Sequence, residues 1–220
     1  DEGEEGDWSP VGDDEGGMAA DWDGGAPVVG RQKGVDVVKE FKNLCLEHGG
    51  GSFKNLSIEL NSFKFSQNAT YEDVVCGAVL NCAERAEMAE EGTEFESIAK
   101  ALGALSAQLK KWRELFKMCA PRTTDEVGII IGLEKLLRMP AYERFCSQGL
   151  LRFLLQNLHN EEVLSEEAIL TWKGRREGGQ GDDHALGLFA DDKIKDFLEW
   201  LEDEEEGTES GSDDDDDDDE

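Results

Sequence analysis

From residue 35 onward, apolar positions recur at steps of three and four, the period of an α-helix that buries one face. Val37, Phe41, Leu44 and Cys45 share a face, and so do Phe53, Leu56, Leu60 and Phe63. Thr70 and Asp73 have the spacing of a capping box and open a third helix with Val75, Ala78, Val79 and Cys82 inside. Thr93 and Glu96 repeat the device. A long seam then follows through Phe95, Ile98, Leu102, Leu105, Leu109, Trp112, Phe116 and Cys119, stopped by Pro121. Thr123 and Glu126 begin a fifth helix, with Val127, Ile130, Ile131 and Leu137 inward, that ends near Pro140. A sixth carries Tyr142, Phe145, Leu151, Leu154 and Leu158. Ser165 caps a seventh, with Leu164 placed to pack on Ile169 as a hydrophobic staple. Residues 174–187 are Gly-rich and polar and read as a loop. Asp191 or Asp192 caps the eighth helix, whose stripe is Ile194, Phe197, Leu198 and Leu201.

No segment alternates with the period of a strand. The run Gly128-Ile129-Ile130-Ile131-Gly132 lies between a cap and further helical sequence, so it too reads as helix. Eight helices joined by short turns predict an all-α fold, an antiparallel stack of about four helix pairs.

Charge divides the chain further. Of the formal net charge of −30, residues 1–30 contribute ten Asp/Glu and residues 202–220 fourteen, with no Lys or Arg in either, so 31–201 carry only −6. Both ends are poor in apolar residues, too poor to offset chain entropy, and read as disordered. This gives an acidic Gly-rich linker over 1–34, a helical domain over 35–206 and a polyacidic tail over 207–220. Trp8 and Trp22 stand alone in the first segment, as linker residues or as short docking motifs. Such a molecule repels nucleic acid and anionic membranes and attracts basic protein segments. Five well-spaced cysteines among apolar neighbours read as reduced, buried thiols, which points to a reducing compartment. The chain opens on Asp1 without Met, as expected of a piece of a longer protein.

Signatures of covalent catalysis are missing from the sequence: no glycine-rich phosphate loop, no nucleophile elbow, no zinc-binding His pair. No cofactor and no metal site are expected. The informative residues are of another kind. Glu59 falls just outside the buried arc made by Phe53, Leu56, Leu60 and Phe63. It is either a solvated boundary residue or a carboxylate held partly by packing and open to a partner. Two acidic-aromatic segments lie near the C-terminus. One runs from Glu161 through Glu166, Glu167 and Ala168 to Trp172; the other sets Trp200 among Glu199, Glu202, Asp203, Glu204 and Glu205. Trp172 follows Ala168 and Ile169 at helical spacing and points to the core. Trp200 lies outside the apolar stripe, where a basic side chain could stack on its ring while pairing with the neighbouring carboxylates.

These residues carry a resemblance. Asn55-Leu56-Ser57-Ile58-Glu59-Leu60-Asn61-Ser62-Phe63-Lys64-Phe65, with Asn68-Ala69-Thr70-Tyr71-Glu72-Asp73-Val74 after it and the two acidic-aromatic boxes, resembles the catalytic C-terminal domain of the epsilon subunit of eukaryotic translation initiation factor 2B. The boxes are also like those of initiation factor 5 and other translation factors. The resemblance spans about residues 35–206. It implies a HEAT-type domain that exchanges guanine nucleotide on initiation factor 2 in the cytoplasm, without covalent chemistry. It implies that Glu59 serves exchange on the G domain of the gamma subunit. It also implies that the boxes, with Glu166, Glu167, Trp172, Glu199, Trp200, Glu202, Asp203, Glu204 and Glu205, grip lysine-rich segments of the beta subunit. Contact with other initiation factor 2B subunits would run through domains not in this chain. Two other classes compete: a non-exchanging adaptor of the initiation factor 5 type, which lacks the Glu59 segment, and an acidic histone-chaperone-like protein, which needs little beyond charge.

Overall fold

The computed structural model describes residues 36–48, 53–89 and 94–208, and the side chains of all these except residues 54 and 204–208. The expectations for 1–34, Trp8, Trp22, Thr93, the side chains of Glu204 and Glu205, and 209–220 lie outside these residues. Among them the fold is all-α, as the periodicity predicts. The helices are α1 (Val37–Glu47), α2 (Phe53–Gln67), α3 (Tyr71–Ala89), α4 (Ile98–Lys111), α5 (Arg113–Cys119), α6 (Thr123–Leu136), α7 (Pro140–Glu143), α8 (Leu150–Asn160), α9 (Glu166–Glu177), α10 (Asp183–Phe189) and α11 (Asp192–Thr208).

Packing arranges them in two layers. In one, α1, α3, α6 and α9 lie side by side in that order; in the other, α2, α4 with α5, α8 and α11 follow the same course. The result is a stack of four pairs, α1/α2, α3/α4–α5, α6/α8 and α9/α11, with α7 and α10 as connectors. The central helix α3 buries Val74, Val75, Cys76, Ala78, Val79, Cys82, Ala83 and Ala86 around most of its circumference. Two glycines allow its neighbours to come close. A Cβ on Gly77 would meet the Val38 carbonyl oxygen of α1 at 2.8 Å, and one on Gly132 of α6 would meet Val79 Cβ at 2.9 Å.

Several ends follow the sequence. The Thr70 box forms in both directions: Asp73 N–H donates to Thr70 Oγ1 at 3.1 Å, and Thr70 N–H donates to Asp73 Oδ2 at 3.0 Å. Ser165 Oγ accepts from Ala168 N–H at 3.3 Å, and Asp191 Oδ1 from Lys193 N–H at 2.9 Å. The Gly128–Gly132 run is helical, within α6.

Three expectations are corrected. The long seam is two helices. Trp112, fully buried, takes φ −97° and ψ 9°, ending α4 and turning the chain so that α5 packs on α2 and α3 while α4 continues to α8. Its ring meets Phe53 edge-on at 5.5 Å, with the Arg85 guanidinium 4.9 Å above. Two residues of the seam, Phe95 and Trp112, are therefore core residues outside regular helix. The cap of α4 is Ser97, whose Oγ accepts from Lys100 N–H. The expected sixth helix is broken into α7, a 3₁₀ turn (Cys146–Gln148) and α8, with Gly149 between the last two at φ +87°. Most of the supposed loop 174–187 is helical. Its polar sequence concealed the Asp182 cap, which accepts from Ala185 N–H at 3.0 Å and starts α10. The last helix, α11, runs through Thr208.

The thiols are buried as expected, Cys146 excepted, which is half-buried. Desolvation pushes the Cys45 and Cys76 thiols up to about 12, and those of Cys82 and Cys119 well above the ordinary range. At pH 8 a thiol of pKa about 12 is ionised in only ~1 molecule in 10⁴, so reaction with an aromatic disulfide reagent should be confined to Cys146 in the native protein. All five should react in urea. Rapid native reaction of three or more would contradict this packing.

Candidate functional site

Sequence places candidate residues at both ends of the stack, and the structure keeps them apart: α2 packs on α1, α3 and α5, whereas α11 packs on α8, α9 and α10. On α2, Leu56 and Leu60 are buried, with Phe53 and Phe63 packed against the same core. Glu59 sits at the rim, as the helical wheel predicts, with its side chain 43% exposed. Its Oε2 is 2.6 Å from His48 Nε2, a side chain at the C-terminal end of α1. That end is closed by Arg85, whose Nη2 donates to the carbonyls of Cys45 and Leu46 at 3.0 and 2.9 Å. The imidazole therefore stands on a fixed base, and the carboxylate is held while Oε1 makes no hydrogen bond among the described residues.

The same helix has an apolar face that no other described element covers. Ile58 is 63% and Phe65 85% exposed. Seven residues apart, they lie on one line along α2, next to Glu59. Both belong to the segment that carries the resemblance, yet reading the sequence for buried faces passes over them. Their signal is the spacing itself, since Ile58 and Phe65 fall outside the buried arc. Further along lies a polar cleft of about 640 Å³ between the starts of α3 and α6. Of its three cations, Arg122 forks onto Asp125 at 2.8 Å, Arg175 pairs with Glu72 at 3.5 Å, and Lys64 lies over the Tyr71 ring.

The two acidic-aromatic boxes turn out to be different objects. Trp172 is fully buried, so its ring is not a partner contact, and that assignment is corrected. Its Nε1–H donates to Glu134 Oε1 at 2.9 Å, and Arg176 Nε–H donates to the same oxygen at 2.8 Å while Nη2 reaches Oε2. Glu134, 3% exposed, is thereby neutralised and ties α6 to α9. Arg176 Nη1 also donates to the Gln180 carbonyl, which fixes the turn before α10. Glu166 and Glu167 lie in the first turn of α9, where the helix dipole favours carboxylates; Glu167 is exposed and Glu166 half-buried.

Trp200, by contrast, is 38% exposed and stacks on Phe197 at 5.7 Å. Glu199 and Asp203 are exposed beside it. Glu202 is paired with Lys173 of α9, so its charge is partly spent inside the molecule. No helix of the described residues is long and apolar enough to cross a membrane.

Residues 125–211 match the protein-family model described as W2: eIF4-gamma/eIF5/eIF2-epsilon. The match covers about two-fifths of the chain, from α6 to beyond α11. It takes in both acidic-aromatic boxes and the Glu134 bridge, and it stops short of α2 with Glu59.

Two substitutions grade the bridge. Trp172→Phe keeps an aromatic side chain but loses the N–H donor and the pyrrole part of the ring, and should cost ~2 kcal/mol in urea unfolding. Glu134→Leu leaves the Arg176 charge buried and unpaired, and should cost ~3–5 kcal/mol. Equal losses for the two would mean that the ring alone, and not the carboxylate, holds α9 in place.

Proposed function

We propose that this chain is a guanine nucleotide exchange domain acting on translation initiation factor 2. It promotes GDP release and GTP loading without forming or breaking a covalent bond. The observation that carries this reading is the α2 surface: a carboxylate held by His48 beside the exposed Ile58 and Phe65, on a segment resembling the epsilon subunit of initiation factor 2B. The similarity of 125–211 to the W2 family supports a place among translation initiation factors.

Exchange is a matter of linkage. A protein that binds the nucleotide-free GTPase more tightly than the loaded one weakens nucleotide binding by the same factor. A coupling of ~4 kcal/mol, expressed wholly in the off-rate, speeds release about a thousandfold. Ile58 and Phe65 would supply desolvated contact with the G domain of the gamma subunit. Glu59 would act at the nucleotide site, by disfavouring the Mg²⁺ and phosphates electrostatically or by drawing a Lys or Arg away from them. Capture is the second half. Carboxylates at Glu199 and Asp203, with the acidic sequence beyond them, attract a lysine-rich beta-subunit segment over a Debye length of ~8 Å. Trp200 provides the anchor. Such work belongs in the cytoplasm, where this GTPase delivers initiator tRNA.

The second reading is an adaptor of the initiation factor 5 type that docks lysine-rich segments and leaves nucleotide alone. The reach of the family match favours it, since the matched part holds the boxes and not Glu59. Release of a fluorescent GDP from initiation factor 2 separates the two. Glu59→Ala should fold and bind normally yet release GDP at least about tenfold more slowly, a loss of ~1.4 kcal/mol of coupling. Unchanged release by the variant would reject the role of Glu59, and no acceleration by the parent chain would leave the adaptor. For capture, Trp200→Ala should weaken binding to the lysine-rich segment more than deletion of residues 213–220 does. The reverse order would mean that charge alone accounts for it.

A further inference from the structure

Trp200 has two flanks with opposite chemistry. At about 100° per residue, Lys193 and Phe197 fall on one side of it along α11, and Glu199 and Asp203 on the other. The first side opens on a cleft of about 230 Å³ between α8 and α11, lined by Arg152, Phe153, Lys193, Asp196, Phe197 and Trp200. Phe153 is 37% exposed, nearly as much as Trp200. The Arg152 guanidinium lies 5.1 Å from the Phe153 ring. Among the described residues it makes no ion pair, in a chain where acids outnumber bases by 52 to 22. Lys193 is held in place: its Nζ donates to the Ser147 carbonyl at 2.9 Å, and its stem crosses the bare Cα of Gly149. Asp196 is the one carboxylate in the lining, against two cations.

We propose that this cleft is a docking site for a partner segment that carries a carboxylate beside an aromatic or branched aliphatic side chain. The apolar side chain enters between Phe153 and Trp200, and the carboxylate meets Arg152, with Lys193 behind it. An unpaired arginine in one lining with two half-exposed rings has the composition of a binding hot spot, and a guanidinium pairs with a carboxylate through two parallel hydrogen bonds. The cleft excludes lysine-rich segments by like charge. It shares Trp200 with the acidic flank proposed above for capture but uses the other side of the ring and the opposite charge, and it stands whether or not the chain exchanges nucleotide.

The test is fluorescence polarisation of two labelled peptides, Glu-Asp-Phe-Glu-Leu and Lys-Lys-Phe-Lys-Leu, on the whole chain. The acidic peptide should bind saturably. Arg152→Glu and Trp200→Ala should each weaken it at least tenfold, and Arg152→Lys by less. In the Arg152→Glu protein the lysine peptide should bind more tightly than in the parent. Circular dichroism confirms folding of each variant, and Lys193→Glu gives an independent charge reversal in the same lining. The proposal is overturned if the acidic peptide shows no saturable binding at millimolar concentration, or if its binding is indifferent to both charge reversals.

Discussion

A single buried carboxylate holds the C-terminal half of the stack in register. Glu134 accepts from the Trp172 indole and from two nitrogens of Arg176, and Arg176 in turn binds the Gln180 carbonyl. An isolated charge at that depth would be costly, so the three partners have to be present together. Their joint geometry sets the approach of α9 to α6 and of the turn that leads into α10. Since α11 packs on both α9 and α10, its presentation of Trp200 depends on an ion pair two helices away. The tryptophan of the first acidic-aromatic box is thus architectural, and the tryptophan of the second is what that architecture displays.

How far this was legible varies with the range of the interaction concerned. Local devices read directly. The Thr70 box, the Ser165 cap and the rim position of Glu59 follow from residues within one or two turns of each other. Trp112 shows where local reading fails. Its place in a run of threes and fours is that of a helix interior, and only packing against Phe53 and Arg85 explains the turn there. The segment 174–187 misled in the opposite sense. Its glycines suggested a loop, but Asp182 can cap a helix and Ala185 and Leu188 bury one face of it, which is sufficient. Partners from distant helices were out of reach altogether. Nothing near Trp172 announces Glu134, nothing near Glu59 announces His48, and Arg152 and Trp200 line one cleft only because α8 lies against α11.

The separation of the two surfaces gives the proposed activity its form. Glu59 with Ile58 and Phe65 belongs to the second helix of the stack and Trp200 to its last, so one partner can be touched at one end and held at the other. The similarity to the W2 family reaches only the holding end. On the proposed reading, gripping and nucleotide release would be separable, the first carried by α9 to α11 and the second by α2.

The decisive quantity is the ratio of two affinities, measured by calorimetry of this chain with initiation factor 2 in its nucleotide-free and its GDP-loaded forms. Exchange requires tighter binding to the empty form, by the same factor as the chain weakens GDP binding. Equal affinity for the two forms would contradict exchange and leave a domain that only tethers.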